Sequence, residues 1–406
     1  MPILGSQSSG AKGAPTAPTI GTVTLTNSTT ASIPFTAPNS KLPITSYTTT
    51  SSPSISLSTS GTTSPLTVTG SFTAGQAYTF TITATNANGT SAASSASNSV
   101  TPVIPQGGFS AGGQTGSSRT SSIDKLTFSD DTRSTLSATL SAARESISGM
   151  ANSGTAGYMS GGWTGSRSSG IDKLAFTSEA RSTLGGTLSV ANTNTTSMAN
   201  SGTAGYVGGG STGGTTCIST INKVTFSNDG VATIGSSISF GGSAKSAGFA
   251  NSGTAGYFAG GILSGLATQS SEICKLTFSN DSTATLAATL TTVNEGPSGM
   301  ANSGTAGYIS GGANGGSVLS RIDKLTFSGD SKSTLSATLS SVRGEMPAAF
   351  AKSGTAGYVC GGAGSGGTPL SSINKITFSS DTRSTLGATL SNSVYLVAGF
   401  ANSGTL

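Results

Sequence analysis

The string ANSGTAGY at Ala151–Tyr158 returns at Ala199–Tyr206, Ala250–Tyr257 and Ala301–Tyr308, and as AKSGTAGY at Ala351–Tyr358. A second string, IDKLTF at Ile123–Phe128, returns with small changes at Ile171, Ile221, Ile273, Ile322 and Ile373. The tyrosines lie 48, 51, 51 and 50 residues apart, and Phe109 in GGFSAGG stands 49 residues before Tyr158. Six copies of a unit of about fifty residues match a ring of small sheets and not a stack of helical pairs. Each unit reads as four strands, represented by SGMANSG (148–154), AGYMSGG (156–162), SSIDKLTF (121–128) and STLSATL (134–140), with the Ser and Asp of FSDDTRS closing the last turn.

The two ends of this region complement each other. It begins in mid-unit at GGFSAGG (107–113), a second strand without a first, and reaches Gly399–Thr405, a first strand without a second. Pairing them completes one sheet and closes the ring, which removes open edges.

The repeat length and the Gly-Gly after the second strand resemble kelch motifs, and that resemblance, over about 300 residues, implies a six-bladed β-propeller. The tryptophan usual near the start of the fourth kelch strand is replaced by Leu136, Leu184, Ile234, Leu286, Leu335 and Leu386, so smaller residues are expected between blades. Galactose oxidase shares this propeller type, but its copper needs histidine ligands, and this chain has none.

Residues 1–102 follow another grammar, with Lys12 and Lys41 as the only charged side chains and with nine of the chain's 13 prolines. Tyr78–Ala84 alternates apolar and polar residues, as do runs near Ile20–Leu25, Ile33–Phe35, Ile44–Thr49, Ile55–Leu57 and Leu66–Val68. Six or seven short strands between turn signals predict an antiparallel sandwich. The strings APTIGTVTLT, ASIPFTAP, PITSYTTTSSP, SPLTVTG and AGQAYTFTITATNANGTS resemble a fibronectin type III domain over residues 15–102, with Tyr78 at its corner tyrosine. The expected organisation is therefore all-β: an arm (1–14), a fibronectin-like sandwich (15–102), a linker (103–106) and the propeller (107–406).

Composition excludes much chemistry. Without histidine there is no Ser-His or Cys-His nucleophilic pair, and the serines lack a base partner, so the chain reads as non-enzymatic and without cofactor or metal. Cys217, Cys274 and Cys360 are far apart and lack CxxC spacing, and read as reduced thiols packed as small hydrophobes. The net charge of +5 comes without any run of Lys or Arg, which speaks against nucleic acid. No stretch has the length of a membrane span, and MPILGSQSSGAKGAP is no signal peptide, so the chain reads as made in the cytoplasm.

Lys125, Lys173, Lys223, Lys275, Lys324 and Lys375 take one position per repeat. They read as rim lysines laid along the sheet, with an anion-binding ring as the alternative. Asp130, Asp131, Asp229, Asp281, Asp330 and Asp381 read as turn-closing residues, because each turn offers too few carboxylates for calcium. The segments after Gly-Gly, at 114–121, 163–170, 211–220, 262–272, 313–321 and 363–372, differ between repeats while the strands hardly change. In the kelch topology they share a face with the connections carrying Arg144, Glu145, Glu295, Arg343 and Glu345. Trp163, Arg119, Arg144, Arg167, Arg321 and Arg343 are the candidate binding residues there, with drift of surface loops as the alternative.

The pairing of an almost uncharged fibronectin-like module with a Gly/Ser/Thr-rich propeller, opened by MPILG, resembles virion proteins of tailed bacteriophages of the cyanophage kind. That resemblance implies a tail fibre or appendage, docked on other virion proteins through its N-terminal region and displaying the propeller to a host-surface glycan or protein. A capsid decoration protein and a bacterial surface adhesin are the competing readings. Pro2, Ile3 and Leu4, the apolar cluster ahead of a Gly/Ser stretch, read as the attachment arm.

Overall fold

The computed structural model describes residues 13–402 apart from 28, 74–75, 103–105 and 266–267; the expected arm residues Pro2, Ile3 and Leu4 lie outside the described residues. The chain divides into two compact units, Met1–Pro105 and Gln106–Leu406. Both are all-β; the one helical element among the described residues is the 3-10 turn Ser365–Gly367. No described helix is long and apolar enough to cross a membrane.

The first unit contains β1 (Thr19–Ile20), β2 (Thr24–Asn27), β3 (Thr30–Ile33), β4 (Phe35–Thr36), β5 (Ser46–Ser52), β6 (Leu57–Ser60), β7 (Leu66–Gly70), β8 (Thr79–Asn86) and β9 (Gly89–Thr90). They form sheets of order β2-β3-β7-β6 and β5-β8-β9, with β1 paired to β4. The period-two pattern works as expected, since Phe80, Ile82 and Ala84 of β8 point into a core with Ile33, Tyr47, Leu66, Val68 and Tyr78. The segment after β9 is not a regular strand. Ser91, Ser94 and Ser97 recur every third residue, and each exchanges two hydrogen bonds with one residue of β8. Its N–H donates to the carbonyl of Ala84, Ile82 or Phe80, while its Oγ accepts from the same residue's N–H at 3.0–3.1 Å. Serine hydroxyls thereby stand in for main-chain acceptors along this edge.

The second unit holds six four-stranded antiparallel sheets. The innermost strands are Ser148–Asn152, Thr196–Asn200, Ala247–Asn251, Ser298–Asn302, Ala348–Lys352 and Ala398–Ala401; each neighbours the next, and the last neighbours the first. The sheet that begins the unit is completed by residues from its far end, with Ala398–Ala401 paired to Gly107–Ala111 in the register Ser110↔Gly399 and Gly108↔Ala401. Asn402 strengthens the join, because its Oδ1 accepts from the Gly107 N–H and its own N–H donates to the Gly107 carbonyl. The fourth strand starts earlier than expected, at Thr132–Thr135 in the first sheet. Beyond it Leu136, Leu140 and Arg144 donate back at intervals of four residues, to Ile123, Ser121 and Thr120, so the ladder is not continuous.

The repeated strings encode contacts between sheets. In ANSGTAGY the Asn152 Oδ1 accepts from the Gly202 N–H of the next sheet, and the Ser201 Oγ accepts from Ser153; Asn200 with Gly253, Asn251 with Gly304 and Asn302 with Gly354 repeat the bond at 2.8–2.9 Å. The final Phe of IDKLTF stacks on the second-strand aromatic of the sheet before it. The pairs Phe109–Phe176, Tyr158–Phe226, Tyr206–Phe278, Tyr257–Phe327, Tyr308–Phe378 and Tyr358–Phe128 have ring centroids 4.9–5.3 Å apart. The expectation of smaller residues between sheets is thus corrected: aromatic pairs fill this space, drawn from positions other than the missing tryptophan.

Around the axis the inner strands meet backbone to backbone. A Cβ on Gly399 would stand 2.3 Å from the Ala349 carbonyl oxygen and 2.5 Å from its nitrogen. Gly399→Val is therefore expected to cost about 3 kcal/mol, seen as a fall of roughly 5–10 °C in the melting temperature. Gly185→Ala, where nothing lies within 4 Å, should leave it unchanged; equal melting of the two variants would overturn the packing argument.

Candidate functional site: the loop face of the second unit

The six repeated lysines are not free to form an anion-binding ring. Each reaches the turn acid of the following sheet: Lys173–Asp229, Lys223–Asp281 and Lys275–Asp330 at 2.7 Å, Lys324–Asp381 and Lys375–Asp131 at 2.6 Å, and Lys125–Glu179 at 2.5 Å. In five of the six the second carboxylate oxygen accepts from a tyrosine hydroxyl at 2.7–3.0 Å, from Tyr158, Tyr206, Tyr257, Tyr308 and Tyr358 in turn. The acids thus join neighbouring sheets, which corrects their reading as local turn closers; of those expected to close turns, Asp130 does so, accepting from the N–H and hydroxyl of Thr132. Their backbone stands at φ of 47–56°, aiming each side chain at the preceding sheet.

At the opposite end of the strands the two sets of variable connections meet. Glu145 and Trp163 exchange main-chain hydrogen bonds, as do Thr193 with Ser211, Glu295 with Ala313, Gly344 with Ala363 and Gln114 with Tyr395. The Gly-Gly pairs make these loops possible, since both residues hold positive φ, 68° and 101° at Gly161 and Gly162. Nearer the axis six main-chain bonds run head to tail: Ser146 donates to Leu396, Asn194 to Ser146, Lys245 to Asn194, Gly296 to Lys245, Met346 to Gly296 and Leu396 to Glu345, at 2.8–3.0 Å. Below them a cavity of 60 Å³, lined by inner-strand residues such as Ser148, Thr196, Ser246 and Ser298, has room for a few waters. Ligand clefts start at roughly 300 Å³. The larger clefts on this face lie off the axis, among the loops.

The structure separates the six candidate binding residues. Arg144 and Arg343 are corrected: both are fully buried and structural. Arg144 holds Asp172 at 2.9 Å and the carbonyls of Met159 and Gly161 at 3.2 Å. Arg343 bonds the carbonyls of Gly361 and Ser372 and the Ser372 hydroxyl, with Asn374 at the strand position that Asp172 fills in its own sheet. Burial without a carboxylate pushes its pKa down to about 10. Arg321 is half-buried and paired with Asp323 at 3.4 Å and the Thr292 hydroxyl at 2.9 Å. Arg167 lies 5.5 Å from the Trp163 ring and donates to the Ser211 carbonyl, so one face of the indole is already covered.

Arg119 remains. It faces Glu145 across 3.7 Å, and neither the Arg119 Nε nor the Glu145 Oε2 has a hydrogen-bond partner. Burial pushes the Glu145 carboxyl up, with Arg119 opposing it. Tyr395, a tyrosine outside the repeated string, lies in the field of Glu145 and Glu345. Sequence reasoning missed Tyr395 and placed Glu145 on this face without a role; both fill one position that varies between repeats, as Glu145, Thr193, Ala244, Glu295, Gly344 and Tyr395. Among the described residues no group of three His, Cys, Asp or Glu side chains is placed to hold a metal. No protein-family model matches the chain, and a search of curated proteins returns no match.

Two outcomes follow from these contacts. Burial first, reinforced by the Asp partners, raises all five tyrosines above the ordinary value of 10.0. Folded phenols keep their protons where unfolded ones lose them, so this stability is complete below pH 10 and is lost as the pH climbs further. Tyr308→Phe should cost about 1 kcal/mol at pH 7 and flatten the alkaline loss measured by denaturant titration. Asn374→Asp should gain about 1–2 kcal/mol, because it removes the Nδ2 that has no partner, keeps the acceptor for the Ser340 N–H and neutralises Arg343; an unchanged or lower melting temperature would overturn that reading.

Proposed function

We propose that the chain is a non-enzymatic structural protein of a tailed-phage virion, a fibre or appendage component in which a fibronectin type III-like sandwich carries a six-bladed kelch-like propeller that recognises a host-surface glycan or protein. The sandwich reading is supported by two sheets sharing one core, with the Tyr78 hydroxyl accepting from the Thr73 N–H at 3.0 Å as a corner tyrosine does. The propeller reading is supported by six four-stranded sheets whose inner strands neighbour one another in a cycle.

One observation carries the functional reading. Inter-sheet contacts repeat nearly without change in the strands and in the turns of the other end, whereas the differences between repeats gather where Glu145 meets Trp163, Glu295 meets Ala313 and Gln114 meets Tyr395. A scaffold locked at every joint, with diversity confined to one face, suits recognition. Weak contacts suffice there when several copies act together.

Particles carrying Trp163→Ala, Arg167→Ala and Arg321→Ala together are expected to adsorb to host cells at least tenfold less than wild type. A control with Thr155→Ala, Thr203→Ala and Thr254→Ala, exposed at the other end of the strands, should adsorb normally. Equal adsorption by all three removes recognition from this face. Counting copies per virion then separates an appendage, with tens or fewer, from a head decoration, with hundreds.

A further inference from the structure

We propose that the second unit binds an oxyanion, a sulfate group, around its axis at the turn end of the inner strands, through Lys352 and the amides of Asn152, Asn200, Asn251 and Asn302. This is the end opposite the variable loops, and the proposal does not depend on the recognition reading above. The joints between the inner strands here use up acceptors only. The Oδ1 atoms of the four asparagines each accept from a glycine N–H of the next sheet at 2.8–2.9 Å. The Oγ atoms of Ser201, Ser252, Ser303 and Ser353 each accept from a serine N–H of the sheet before, at 2.9–3.1 Å. Within the turns, the carbonyls of Asn152, Asn200, Asn251, Asn302 and Lys352 accept from the N–H three residues on, at 2.9–3.0 Å. Donors are what is left. Among the described residues the four asparagine Nδ2 atoms have no hydrogen-bond partner, and they are not sealed from solvent as the partnerless nitrogens of Arg144 and Arg343 are; the asparagines are half-buried.

Lys352 breaks the repeat at the very position of those asparagines. Lysine has no acceptor, so it cannot make their joint. Every other lysine described in the second unit has a partner for Nζ, a carboxylate or, for Lys332, the Thr291 hydroxyl. Lys352 is half-buried and among the described residues has none. The turn acids at this end do not serve it, since Asp381 is held by Lys324, Asp131 by Lys375, and the others likewise. Water can satisfy the amides but leaves this charge unanswered. An oxyanion answers both, because N–H and ammonium donors bond most strongly to charged oxygens. Sulfate suits a site made only of donors: all four of its oxygens accept and none carries a proton. Phosphate near neutral pH brings O–H groups to a place with no acceptor to spare. The joints tie consecutive strand ends together, so these donors are gathered around one axis.

The full chain would be titrated calorimetrically at pH 6 with sodium sulfate, glucose 6-sulfate and sodium phosphate, in chloride buffer of constant ionic strength. Sulfate or its ester should bind saturably at one site per chain, and phosphate at least tenfold less tightly. Lys352→Asn, which restores the residue of the other repeats, should weaken sulfate binding at least tenfold. Lys41→Asn, an equal loss of charge at an exposed position of the first unit, should not. Asn251→Asp keeps the acceptor for the Gly304 N–H but replaces the amide donors, and should also weaken binding at least tenfold; if it fails to fold, Lys352→Asn decides alone. Tighter binding of the free ion supports the site with inorganic sulfate as its ligand, and tighter binding of the ester supports it with a sulfated saccharide. Absence of saturable binding, binding unchanged in Lys352→Asn, or phosphate bound as tightly as sulfate overturns the site.

Discussion

The inner strands of the second unit lie so close that main chain touches main chain, and this one constraint shapes the rest. At the tightest point the strands present Gly149, Ser197, Gly248, Gly299, Ala349 and Gly399, because a larger side chain has nowhere to go. Small residues give little apolar burial there, so cohesion must come from farther out. It comes from aromatic pairs at mid-strand, from asparagine and serine bonds at one end and from main-chain bonds around the axis at the other.

The same constraint decides where function can reside. The strands and far-end turns are committed to joining neighbours. Each Lys–Asp–Tyr group uses half-buried charges whose partners lie on the next sheet, so altering one disturbs a joint between two sheets and not a surface. The loop face carries the least of this duty.

Much of the architecture was legible in the sequence because it is periodic. The fifty-residue spacing defines six sheets, and the unmatched half-units at Gly107 and Gly399 point to each other. The partner of each lysine was not legible, because Lys173 and Asp229 belong to different repeats and their meeting depends on how sheets stack. Arg144 and Arg343 misled for a related reason: arginines in variable connections look exposed, but both turn inward to satisfy carbonyls at the Gly-Gly bends. The serine ladder at Ser91, Ser94 and Ser97 escaped a search for alternation because its period is three. Glu145 and Arg119 could be placed in one cleft only after the loops of two sheets had been assembled.

The join between Gly107 and Asn402 spans 295 positions of chain. During synthesis the first sheet of the second unit waits with an unfilled edge while five others are made, and the chain cannot finish it until Ala398–Ala401 has left the ribosome. Contacts this distant in sequence make folding slow. The waiting edge, Gly107–Ala111, is uncharged and carries Phe109, the kind of strand that invites pairing with the wrong chain. Translation rate and chaperone protection during that interval therefore bear on the yield of this protein as directly as the stability of its finished form.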